Sequence, residues 1–114
     1  MITKAKLNRL KKLFGFQDWD ITVVEDTSIE ACGECYIRDP FCEAIIKINP
    51  ELISDASEFG FSDTLDITLY HEFGELVMAQ MLPMLPEEIR DSEQFEVYRD
   101  FVADRIGKIA RKTQ

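Results

Sequence analysis

The sequence predicts one α+β domain, ordered helix, three strands, helix, helix. Three observations carry this. The 114 residues suit one ordinary domain, taken as 1–114, and leave no room for two. Apolar residues make up 46% of the chain and run along its whole length, so one continuous core is expected and disorder is not. Their spacing changes along the chain, from helical to alternating and back to helical.

Each element follows in turn. Residues 2–14 place Ile2, Leu7, Leu10, Leu13 and Phe14 at helical spacing with lysines between, and Gly15 is a suitable stop. Basic residues in the first turn oppose the helix dipole, so this helix needs tertiary packing. Residues 19–25 alternate and are rich in β-branched side chains, which predicts a strand. A second short strand is expected from Ala31 to Ile37, and Asp39-Pro40 marks a turn. Residues 42–48 read as a third strand stopped by Asn49-Pro50. The second and third strands are close enough for a hairpin. A loop rich in Ser, Asp and Gly is expected next. Ser62 or Asp63 then caps a helix that runs to about Leu82, where Pro83 and Pro86 end it. The last helix begins near Pro86 or re-initiates at Asp91 and continues to about Arg111. Phe95, Tyr98, Val102, Ile106 and Ile109 are its expected buried stripe.

Charge is strongly segregated. All 22 acidic residues lie between Asp18 and Asp104, while nine of the 13 basic residues lie in the two terminal helices. The 22 acidic and four basic residues of the middle stretch leave it at −18. That charge repels phosphate backbones and disfavours nucleic-acid binding through the middle. It suits a basic protein or peptide. The terminal helices would form one cationic face if they pack together; otherwise each has a solvated face. No apolar run approaches the roughly 20 residues of a membrane span, so no membrane insertion is expected. The basic N-terminal helix has no long apolar region and no small-residue cleavage site, so it is not read as a secretory signal. A basic membrane-surface helix is the second reading.

Cys32, Cys35 and Cys42 are odd in number. Without a signal peptide this points to a reducing, cytoplasmic compartment. A cysteine metal site lacks a second Cys pair, so small apolar residues in a hairpin is the favoured reading.

One segment has the residue types for chemistry. His71 and Glu75 are four apart on a predicted helix, on one face and a turn apart. An imidazole nitrogen and a carboxylate oxygen at that spacing can share a divalent metal. Glu72, beside His71, is placed as a base for the water such an ion activates. A third ligand must come from elsewhere, and the last helix offers Glu93, Glu96 and Asp100. The competing reading is a set of solvated helix glutamates around a packed histidine. Gly74 costs about 1 kcal/mol in a helix interior, which suggests that a ligand or another backbone comes close there.

The order of elements resembles the minimal zincin metallopeptidase fold, and more closely small phage- and prophage-encoded gluzincin-like proteins. The residues that carry the likeness are Trp19-Asp20-Ile21-Thr22-Val23, then Cys35 to Pro40 with Ala44 to Pro50 as a hairpin. Thr68-Leu69-Tyr70-His71-Glu72-Phe73-Gly74 and Glu96-Val97-Tyr98 with Phe101 complete it. The resemblance implies helix, three-strand antiparallel-type sheet, HExx helix and C-terminal helix. It implies His71 and Glu96 as ligands of Zn2+ or another divalent metal, and Glu72 as the catalytic base. It also implies a metallopeptidase acting on protein or peptide in a bacterial host cytoplasm. The chain departs from the family at Glu75, which stands where the family has a second histidine. One nitrogen and two carboxylates favour harder metals and leave bound water less acidic. The expected function is therefore a divalent-metal-binding zincin-like protein with a variant HExxE peptidase site. The alternatives are a catalytically inactive zincin-like phage protein that binds or inhibits a basic partner, and an interaction module with no metal at all.

Overall fold

A computed structural model describes residues 2–38, 41–61 and 63–113. Helix α1 spans Lys4–Phe14, with the Thr3 hydroxyl accepting from the Lys6 amide at one end and Gly15 in the left-handed conformation at the other. Strands β1 (Asp20–Glu25), β2 (Gly33–Arg38) and β3 (Glu43–Ile48) follow. The expected turn at Asp39-Pro40 lies outside the described residues.

The sheet order is β1-β3-β2. β2 and β3 form the expected antiparallel pair, with Cys35 opposite Ile46. β1 pairs with β3 in parallel, Ile21 opposite Ala44 and Val23 opposite Ile46. The sheet is therefore mixed, which corrects the antiparallel-type expectation. β3 takes the centre because Ala44, Ile46 and Ile48 are all buried, whereas Asp20 and Glu25 suit β1 to an edge.

The loop expected after β3 is in fact largely a helix, α2, at Pro50–Glu58. The Asn49-Pro50-Glu51 run that stops the strand also starts the helix. The Asn49 side chain accepts from the Glu51 and Leu52 amides, Pro50 fits the first turn, and Glu51 complements the dipole. Asn49 also donates to the Ile29 carbonyl at 2.9 Å, tying the loop before β2 to the end of β3.

Helix α3 spans Thr64–Met81, and a 3-10 turn at Leu82–Met84 holds Pro83. Of its two candidate caps, Ser62 lies outside the described residues, and Asp63 makes no cap hydrogen bond. The Asp63 carboxylate instead accepts from Arg111 at 2.9 Å. Both proposed starts of the last helix exist, as a short α4 (Glu87–Arg90) and a long α5 (Glu93–Lys112) capped by Ser92.

One side of α3 meets the sheet and α1. Leu69, Phe73 and Leu76 are fully buried there with Phe16, Ile46 and Ile48. Phe14 stacks on Phe73 at 5.2 Å, and Phe16 meets Trp19 edge-on at 5.1 Å. The other side meets α5 through small residues. A Cβ on Gly74 would lie 2.3 Å from the Ala103 carbonyl oxygen, and one on Gly107 would lie 2.8 Å from that of Tyr70. Two backbones thus touch at two points, antiparallel. This accounts for Gly74 by helix packing. It also corrects the expected α5 stripe. Ala103 and Gly107 are buried, whereas Tyr98 is 62% and Ile109 60% exposed. Phe95, Val102 and Ile106 are half-buried in line with the stripe, but the closest contact with α3 is made by the smallest residues.

The terminal helices are linked through α3. Lys6 of α1 and Arg111 of α5 both bond the Asp66 carboxylate of α3.

Candidate metal centre

The α3–α5 crossing places the next exposed turn of each helix face to face. His71 and Glu75 project from α3, and Asp100 from α5. His71 Nε2 lies 3.6 Å from Glu75 Oε1 and 3.4 Å from Asp100 Oδ1. The donor atoms of the three residues all lie within 4.8 Å of one another, the single such group among the described residues. Behind the ring, Nδ1 lies 3.6 Å from Asp104 Oδ1.

These distances are informative. A strong N–H···O bond measures about 2.9 Å. Two ligands bonded at about 2.1 Å to a tetrahedral ion sit about 3.4 Å apart. The His71–Asp100 and His71–Glu75 separations match that edge better than they match a strong hydrogen bond. Asp104 sets a further carboxylate on the Nδ1 side of the ring, beyond strong hydrogen-bond range, while Nε2 faces the cluster. Two carboxylate oxygens facing a lone pair need a cation between them, and a proton or a metal ion serves.

With a proton there, His71 is pushed up to about 9, chiefly by the facing Glu75 carboxylate, with burial opposing and Glu72 and Asp100 adding. Burial alone pushes Glu75 up, but His71 and the Arg99 guanidinium hold its carboxyl below the usual range. Arg99 Nε approaches Glu75 Oε2 at 3.3 Å yet makes no aligned hydrogen bond, and it is buried. Lys108, at 3.0 Å, is the main reason that Asp104 is lowered, with His71 contributing.

Glu72 points elsewhere. It is 5% exposed and packs over Gly33 of β2, where an added Cβ would come within 3.2 Å of its Oε2. Burial pushes it up to about 7, with Glu75 and Asp100 adding and His71 opposing. The neighbouring Cys35 thiol is pushed up to about 12, by burial first and then by Glu72 and Glu75, so it stays a neutral thiol. Residues of β2, α3 and α5, among them Gly33, Cys35, Tyr36, His71, Glu72 and Asp100, enclose a cleft of about 330 Å³.

His71 and Glu75 are therefore brought together, and Glu72 stands at the same cleft. Glu96 is not in the group. It is exposed and lines a separate hollow with Arg90, Phe95 and Arg99. Asp100, one turn further on, faces His71. The sequence offers a signal only for Asp104, one helical turn after Asp100, and none for Arg99. Cys32, Cys35 and Cys42 are each partly buried and form no metal-binding group among the described residues.

No described helix is long and apolar enough to cross a membrane. No protein-family model, curated protein or solved structure matches the chain.

Proposed function

We propose that the chain is a divalent-metal protein with a zincin-like site, ligated by His71, Glu75 and Asp100, and that it hydrolyses peptide-like substrates. The observation that carries this is the pair of Nε2 distances, 3.4 and 3.6 Å, with Asp104 on the far nitrogen. Asp100 takes the place that the family resemblance gives to Glu96. One imidazole and two carboxylates hold Zn2+ less selectively and admit harder ions such as Mn2+. The ion would supply Lewis acidity. The chain's own contribution is Glu72, whose proton affinity near neutrality suits it to receive and return a proton. A basic peptide partner fits the charge of the middle stretch, and the family resemblance adds a bacterial cytoplasm.

Isothermal titration with Mn2+ and Zn2+ tests the site. One ion per chain is expected, with His71→Ala abolishing binding, Asp100→Asn weakening it at least tenfold and Glu96→Gln leaving it unchanged. Absence of heat and of thermal stabilisation with either ion would sink the proposal.

One observation favours a second reading, a non-catalytic binding module. Arg99 already lies against Glu75, so the cluster is partly neutralised without a metal. In that case Glu72→Gln leaves partner binding intact, and no peptide hydrolysis is seen with any ion.

A further inference from the structure

His71 borders two spaces. One is the metal cleft. The other is a separate cavity of about 380 Å³ on the far side of the ring, between the first half of α3 and the last half of α5. Its apolar wall is Ile67, Tyr70 and the bare backbone at Gly107, and its rim carries Lys108, Arg111 and Lys112. This volume lies in the range of small-molecule sites.

Charge selects the ligand. The nearby acids are already engaged, Asp66 by Lys6 and Arg111, Asp63 by Arg111 at 2.9 Å, and Asp104 by Lys108 at 3.0 Å. Lys112 makes no bond among the described residues, and Lys108 is two-thirds exposed. Lys6 of α1 and Arg111 of α5 both reach the Asp66 carboxylate on the wall of this cavity, so basic residues from both ends of the chain meet there. Within a chain of net charge −9, this is a cationic mouth over an apolar wall.

We propose that this cavity binds a small amphipathic monoanion, its aromatic or aliphatic body against Ile67, Tyr70 and Gly107 and its acidic head at Lys108 and Lys112. The Lys108 contact point adjoins the His71 support. Asp104 lines the cavity, bonds Lys108 and faces His71 Nδ1. A head group that draws Lys108 away alters Asp104 and hence the ring.

The test uses metal-free protein, so it stands apart from the metal reading. The probe is 1-anilinonaphthalene-8-sulfonate, with uncharged N-phenyl-1-naphthylamine as its comparison. His71 is the only histidine, so its ring signals in NMR need no assignment. Saturable one-to-one binding of the sulfonate is expected, with a shift of the His71 signals. The double variant Lys108→Gln, Lys112→Gln weakens the sulfonate about tenfold or more and leaves the neutral probe unchanged. Ile67→Trp fills the cavity and removes both, while Val97→Ser, on the exposed face of α5, changes neither. Sulfonate binding that leaves His71 unshifted, that ignores the double variant, or that is lost with Val97→Ser would overturn the proposal. So would a lack of binding by folded protein.

Discussion

The two faces of α3 are built on opposite terms. Toward the sheet lie Leu69, Phe73 and Leu76, fully buried with Phe16, Ile46 and Ile48. Toward α5 and the cleft lie His71, Glu72 and Glu75, among Asp100, Asp104 and Arg99. The first face supplies burial free energy at each side chain. The second holds Glu72 buried at a proton affinity far from its ordinary value, and crowds three carboxylates around one ring. Such a concentration of unfavourable terms on one face, next to an economical core, is where function is expected.

Four substitutions or conditions sharpen or break this contrast, beginning with the largest effect. Phe73→Ala on the core face removes a stacked, fully buried ring and is expected to cost about 3–5 kcal/mol, read from urea unfolding. A loss below about 1 kcal/mol would mean that the core is not organised around α3. Gly74→Ala lies between the faces. Its Cβ would drive into the Ala103 carbonyl, which is backbone and has no rotamer to adopt, so a loss of about 1–3 kcal/mol is expected. Ion binding should fall with it, because Asp100 is displaced from His71.

The charged face responds to pH. His71 has a folded value of about 9, above its ordinary 6.5, so its contribution is complete below pH 6.5 and is lost as pH rises through 9. Glu72 is raised from 4.5 to about 7, so the cost of its buried charge appears as pH rises through that interval. Both signs agree. The thermal midpoint of metal-free protein should fall between pH 5 and 10, on the order of 10 °C. With Mn2+ present the ion replaces the proton on Nε2, its affinity grows with pH up to about 9, and the decline should flatten or reverse. A metal-free midpoint that is flat over this range would contradict the arrangement around His71. The smallest effect runs against intuition. Glu72→Gln should stabilise metal-free protein by about 1 kcal/mol at pH 8 while removing any hydrolysis, since it deletes a buried charge.

Much of the fold was legible in the sequence because periodicity is a local signal. The three strands, α3 and the double start of the last helix all follow from spacing and caps. What periodicity does not encode is the partner. Alternation marks Asp20–Glu25 as a strand, but nothing local says that it joins β3 in parallel at the edge away from β2. Helix α2 was missed because Asn49-Pro50 was read only as a strand stop, although the same two residues cap and open a helix. At the site, His71, Glu72 and Glu75 were legible from i, i+4 geometry on one helix. The third member was not. Glu93, Glu96 and Asp100 share a flank of α5, and only the crossing point decides which turn meets His71. Backbone contacts at Gly74 and Gly107 set that point, and glycines carry no hydropathy signal.

The same crossing governs how the site can move. Rolling either helix about its own axis would replace a glycine with a side chain at a backbone contact, so α5 is left mainly with tilting. With Ala103 as the pivot, Asp100 is about 4.5 Å along the axis and Glu93 about 15 Å. A tilt of about 10° would then move Asp100 by only about 0.8 Å but Glu93 by about 2.6 Å. The acid nearest the fulcrum is the one that keeps its distance to His71, while the start of α5 is displaced most by the same tilt.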